Sequence, residues 1–140
     1  MTGRAAFLKR WWSPEGASSN PLLADLYRAH LIAAFGGACA FGLGPFIIIA
    51  ALVLHHPALG FSPVIAMIAL SLFGSAAAHG FTIRIVLHLG QWTRGKRAPV
   101  SRIEHPAQFW MRVALLALFL AVKAAGAAEL AYLAVKLAHL

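Results

Sequence analysis

The stretch LIAAFGGACAFGLGPFIIIAALVL, residues 31–54, contains no charged side chain. As a helix rising about 1.5 Å per residue it is long enough to cross a hydrocarbon core of about 30 Å. A second run, VIAMIALSLFGSAAAHGFTIRIVL at 64–87, is of the same length and is interrupted only by His79 and Arg84, both in its second half. A third, FWMRVALLALFLAVKAAGAAELAYLAV at 109–135, is rich in Ala and Leu, with Arg112 at its start and Lys123 and Glu129 inside it. The sequence therefore predicts an all-α integral membrane bundle of three transmembrane helices.

Composition points the same way. Of 140 residues, 61% are hydrophobic and 11% charged, whereas soluble domains carry about 25% charged residues. The mean hydropathy is +0.76. A soluble enzyme, a disordered chain and a disulfide scaffold are all poor fits. Cys39 is the only cysteine, so this chain alone can form no disulfide and no cysteine-based zinc or iron–sulfur site. The 12 basic and 4 acidic residues give a net charge of +8. They flank apolar runs rather than gathering on one folded face, which argues for membrane topology and against nucleic acid as a partner.

Residues 1–30 read as a cytoplasmic arm with an interfacial helix. The apolar run begins only after a mixed segment holding Lys9, Arg10, Trp11, Trp12 and Pro14, so no cleavable signal peptide is expected. Asn20 is a candidate cap for a short helix starting near Pro21. Arg4, Lys9, Arg10 and Arg28 precede the first span, and Arg94, Lys96, Arg97 and Arg102 lie in a basic loop at 88–108. The loop from His55 to Pro63 has no Lys or Arg. The positive-inside rule then puts the N-terminus and the basic loop in the cytoplasm and the C-terminus on the far side, with a bacterial inner membrane as the expected location. Trp92 and Trp110 bracket the basic loop as interface anchors, and Phe61 is a candidate anchor outside.

Each span carries small residues on a stripe: Ala33, Gly37, Ala40 and Gly44 on the first, Gly74, Ala77 and Ala78 on the second, Ala117, Ala121, Ala125 and Ala128 on the third. Such stripes let helix backbones approach, within the chain or between subunits. Ionisable groups at bilayer depth cost about 2.5–3.5 kcal/mol on insertion scales, so each is a functional candidate. His79 is a possible haem ligand or proton exchanger, or else a hydrogen-bonded structural histidine. Arg84 and His88 share a helical face near the cytoplasmic interface. With His30, Arg28, Tyr27 and Trp92 they are candidates to ring a quinone headgroup, the alternative being snorkelling and lipid headgroup contact. Lys123 and Glu129 are candidates for proton handling, or for structural pairing. They do not form a direct intrahelical pair, and Glu129 is expected to meet Lys136, His55 or His56. His55 and His56 are adjacent in the outer loop, where a surface metal is a weak signal. No Gly-rich phosphate loop, Gly-x-Ser-x-Gly elbow or His-Glu-x-x-His occurs, so a self-contained enzyme is not expected.

Several of these residues carry a resemblance. Phe35, Gly36 and Gly37, then Pro45 eight residues after Gly37, then Pro57, Leu59 and Gly60 resemble the first span of a fumarate reductase membrane anchor. The opening Ser62, Pro63, Val64 and Ile65 of the second span, and its ending from His79 through His88 and Leu89, are similar to the anchors of fumarate reductase and succinate dehydrogenase. The likeness covers residues 30 to 90. His30 stands where the fumarate reductase anchor has a tryptophan, and His88 directly precedes Leu89 where that anchor has an aspartate. The resemblance implies an anchor subunit that docks peripheral iron–sulfur and flavoprotein subunits and helps form a quinone site at the cytoplasmic face. His30, Arg84 and His88 would hold the quinone carbonyls, and haem b would depend on His79. Two other readings remain open: an accessory or scaffold subunit of another membrane complex, contacting lipid and other membrane subunits, or a small proton-conducting or transport protein.

Overall fold

A computed structural model describes residues 21–92 and 100–139. Almost all of this is helix: α1 Pro21–Gly42, α2 Gly44–Val53, α3 Pro57–Leu89 and α4 Pro106–Ala138, with two-residue strands β1 Gln91–Trp92 and β2 Val100–Ser101 between α3 and α4. The Lys9, Arg10, Trp11 and Trp12 segment, the Asn20 cap and the loop bases Arg94, Lys96 and Arg97 lie outside the described residues. Prolines open α1, α3 and α4, at the position where a missing N–H costs no helical hydrogen bond. Gly90, at φ 64°, closes α3 in the left-handed conformation, a conformation glycine adopts without a Cβ penalty.

The short helix expected from about Pro21 and the first span are one continuous helix, because nothing between Pro21 and Gly36 breaks it. The break falls later. α1 and α2 meet at a 41° bend, where Gly42, Leu43, Gly44 and Pro45 follow one another. Pro45 has no N–H to offer the carbonyl of Phe41. Leu43 N–H donates to Cys39 O at 2.9 Å and Ile47 N–H to Leu43 O at 3.0 Å, so the ladder holds on either side.

α3 and α4 are 33 residues each, about 50 Å long, so they either tilt or project beyond a hydrocarbon core of about 30 Å. Both are long and apolar enough to cross a membrane, and the bent α1–α2 pair makes a third candidate if taken as one path.

α3 is the middle of the assembly. α1 and α2 run antiparallel to it at backbone distance. A Cβ added to Gly74 would lie 2.5 Å from Ala33 N and 2.9 Å from Ala29 O, one on Gly36 2.8 Å from Met67 O, and one on Gly60 2.6 Å from the Ala51 Cβ. Ser71 Oγ donates to Ala33 O at 2.8 Å across the same contact. On its other flank α3 meets α4. Ser62 Oγ donates to Ala134 O at 2.8 Å, and Leu72 covers Gly126. α1 and α4 hardly touch each other, so the helices form an open layer with α3 at its centre. At the loop end, Gln91 pairs with Ser101 and Trp92 with Val100. This ladder seats Val100 against Val86, Val113 and the fully buried Phe109, with Ile83 and Trp92 packed around them.

The small-residue stripes divide accordingly. Ala40 and Gly44 on α1–α2 and Gly74 and Ala78 on α3 are buried within the chain, but Ala117, Ala121, Ala125 and Ala128 on α4 are all exposed. α4 packs instead through Phe109, Val113, Ala127 and Ala134.

Replacing Gly74 with Leu forces backbone apart from backbone, and overpacking of this kind costs about 1–3 kcal/mol. The expected outcome is a marked drop in the thermal midpoint of the detergent-solubilised protein. Gly80→Ala, where a Cβ meets nothing within 4 Å, is expected to leave the midpoint unchanged or raise it.

Candidate functional site

The polar groups inside the layer meet where α3 faces α4. Ser75 and His79 are one turn apart on α3, and Lys123 and Phe119 one turn apart on α4. Side chains on a helix lean towards its N-terminus, so Lys123 reaches towards the loop end of α3. Its Nζ donates to Ser75 Oγ at 2.7 Å. His79 Nδ1–H donates to the carbonyl of the same serine at 2.7 Å, which leaves Nε2 as the imidazole's acceptor atom. The His79 ring meets Phe119 edge-on, with centroids 6.4 Å apart at 63°. Ser75 thus ties a cation on one helix to an imidazole on its neighbour. Lys123 forms no ion pair with any described residue, so a hydroxyl rather than a carboxylate receives its charge.

This cluster is the site for which the sequence nominated His79 and Lys123 separately. Ser75 was not singled out, although it lies four residues before His79, the spacing that puts two side chains on one helical face. Bis-histidine ligation of a haem at His79 would need a second histidine at matching depth. His30 lies on α1, on the other flank of α3 from α4, and its Nδ1–H donates to Leu26 O at 2.9 Å. No group of three or more His, Cys, Asp or Glu side chains that could hold a metal occurs among the described residues, and the adjacent His55 and His56 find no third ligand there.

The residues nominated for a quinone do not form one ring. Arg84 and His88 are exposed on the last turns of α3, one turn apart. Ala29 and Ala33 lie beside Gly74, so the intervening His30 sits about seven residues, or roughly 10 Å, along α3 from Arg84. Helix α1 begins at Pro21, so His30 lies nine residues, or about 14 Å, along it. Arg28, at the same level, pairs with Asp25 at 3.2 Å. Trp92 is packed on the Val86, Val100 and Phe109 cluster.

Glu129 also departs from expectation. It forms no ion pair with Lys136, His55 or His56 and is exposed on α4. Lys136 is two turns on, about 10 Å along the axis. His55 and His56 instead line a cavity of about 610 Å³ at the far end of the layer, with Pro57, Phe61 and Leu137. A second, apolar groove of about 550 Å³ runs between α3 and α4, lined by Leu70, Phe73 and alanines of both helices.

Compared with protein-family models, with curated proteins and with solved structures, the chain finds no match.

Ser75→Ala is expected to destabilise the protein by about 1–3 kcal/mol, because it leaves the Lys123 ammonium without its acceptor. In a Lys123→Met background the same serine replacement is expected to cost little. Thermal unfolding of the four proteins in one detergent checks this, and additive losses would show that the two side chains act independently.

Proposed function

We propose that the chain is a non-catalytic membrane anchor subunit of a larger complex, of the quinone-linked fumarate reductase or succinate dehydrogenase type, in a bacterial inner membrane. It crosses the membrane three times, with its N-terminus and basic loop in the cytoplasm. The course of the α1–α2 path alongside the whole of α3 supports counting that path as one span. The distribution of Lys and Arg supports the orientation.

The observation that carries the reading is the open layer. Three helices arranged side by side enclose no chamber, and α4 leaves its alanine stripe and an ionisable carboxyl uncovered. Such a layer is built to be completed by other chains. The resemblance supplies the kind of complex, and its Gly36 and Gly60 stand, with Gly74, at the three tightest approaches of α1 and α2 to α3. In this reading Arg84 and His88, exposed one turn apart, offer donors to a quinone oxygen on which negative charge develops during reduction. His30 and Arg28 lie deeper and on α1, and Trp92 shapes the loop rather than the pocket. Peripheral iron–sulfur and flavoprotein subunits would rest on the basic cytoplasmic face.

The exposed face of α4 equally suits an accessory subunit of another membrane complex. A transport role draws no support from Lys123, whose Nζ is held by Ser75 inside the helix contact.

Affinity purification of the tagged chain in mild detergent, with mass spectrometry of what accompanies it, is expected to recover a flavoprotein and an iron–sulfur protein. Recovery with other membrane subunits only would favour the accessory reading, and recovery of the chain alone would overturn both. In the recovered complex, Arg84→Ala with His88→Ala is expected to lower quinone reduction by about 10²-fold or more while leaving assembly intact.

A further inference from the structure

Glu129 stands on the face of α4 turned away from α3. α4 packs through Val113, Ala127 and Ala134, and a position two residues beyond Ala127 lies about 200° round the helix. Leu118, Val122, Ala125 and Tyr132 share that outward face, and all are exposed. Ala117, Ala121, Ala125 and Glu129 follow one another at four-residue spacing, so small side chains lead directly to the carboxyl.

Depth makes this placement unusual. The apolar stretch of α4 is bounded by Arg112 and Lys136, and Glu129 lies about 10 Å inside Lys136. Its short side chain leans towards the helix N-terminus, away from the nearer membrane surface, so it has little means of snorkelling out. Ionisable side chains within spans face a protein interior or a water-filled cavity and are paired there. Glu129 has no hydrogen-bond or ion-pair partner among the described residues.

We propose that the outward face of α4 docks a transmembrane helix of another subunit, and that this helix carries a lysine or arginine at the depth of Glu129. The proposal rests on the reading of the chain as one subunit of a complex and names the chemistry of its neighbour. Charge complementarity selects that occupant over a second copy of this chain. A parallel copy would bring to the same depth only its own Glu129 and apolar groups. Its Lys123 is about 9 Å further in and held by Ser75, and its Lys136 about 10 Å further out. The stripe at Ala117, Ala121 and Ala125 lets the partner's backbone come close, which shortens the reach its base must span.

Photoreactive amino acids placed at Val122 and, separately, at Tyr132 of the full chain in its native membrane test this. The expected result is that both positions capture one and the same membrane segment of another protein, with a Lys or Arg within a turn of the captured residue. Glu129→Lys is expected to lower that yield about tenfold through like-charge repulsion, and exchanging the partner's base for Glu to restore it. Glu129→Gln keeps the side chain's shape, so an intermediate loss of about threefold ties the effect to charge rather than misfolding. Capture of a second copy, of lipid alone, or of a segment without a base overturns the proposal, as does a yield indifferent to Glu129→Lys. Where the purification recovers partner subunits but α4 captures only lipid, this docking face fails and the anchor reading stands. Where the chain is recovered alone, the anchor reading itself has failed.

Discussion

The close approach of backbones at Gly36, Gly60 and Gly74 is the constraint on which the rest of the structure depends. In a bilayer, lipid tails are as apolar as leucine, so helices gain little by hiding apolar surface from one another and must associate through packing and hydrogen bonds. Three glycines spread along α3 and its partner path hold α1 and α2 against α3 from Ala29 to Ala51. Ser71 adds a hydrogen bond from side chain to backbone in the middle of that contact. With this register set, Ala29 and Ala33 are fixed beside Gly74, and the depth of every polar group on α1 follows.

The α3–α4 contact works differently. Here the approach is fastened by hydroxyls, with Ser62 bonding Ala134 O near one end and Ser75 receiving Lys123 near the middle. A lysine inside a span would ordinarily seek a carboxylate or the interface. This one uses a serine that already shares its carbonyl with His79, so α4 is locked to α3 by the group most costly to leave unsatisfied. The arrangement has a consequence for chemistry: the imidazole is held through Nδ1 by the Ser75 carbonyl and packs its ring against Phe119.

The helices were legible in the sequence because apolar runs of 24 residues or more with few charges leave few alternatives, and Gly74 stood in a small-residue stripe that does form a contact; the bridging serines Ser62, Ser71 and Ser75 were not singled out as contacts. The bend was less legible. Gly42, Gly44 and Pro45 mark where the helix can bend, but not by how much, and the angle is 41°. Helix limits and the register between helices were the least legible. The sequence divided a short helix from the first span, whereas α1 runs unbroken from Pro21 and His30 falls within it. A grouping of His30 with Arg84 and His88 depended on a register between two helices, and register is set by pairwise packing that no single run of sequence contains. For the same reason the alanine stripe of the third span could be seen but not oriented. Ala127 and Ala134 serve the contact with α3 instead.

That orientation bears on what the fold can be for. A helix whose alanines faced inward would be a finished part of this chain, packed as tightly as α1 on α3. α4 instead gives its alternate alanines to α3 and turns the stripe outward with Glu129 in line. A lone carboxyl on a lipid-facing surface gains nothing for the isolated protein. It becomes favourable once a second helix supplies the missing charge, and until then it weakens insertion. If the proposed partner helix docks there, the chain would be more stable assembled than alone, and the side chain that penalises the monomer would select its neighbour.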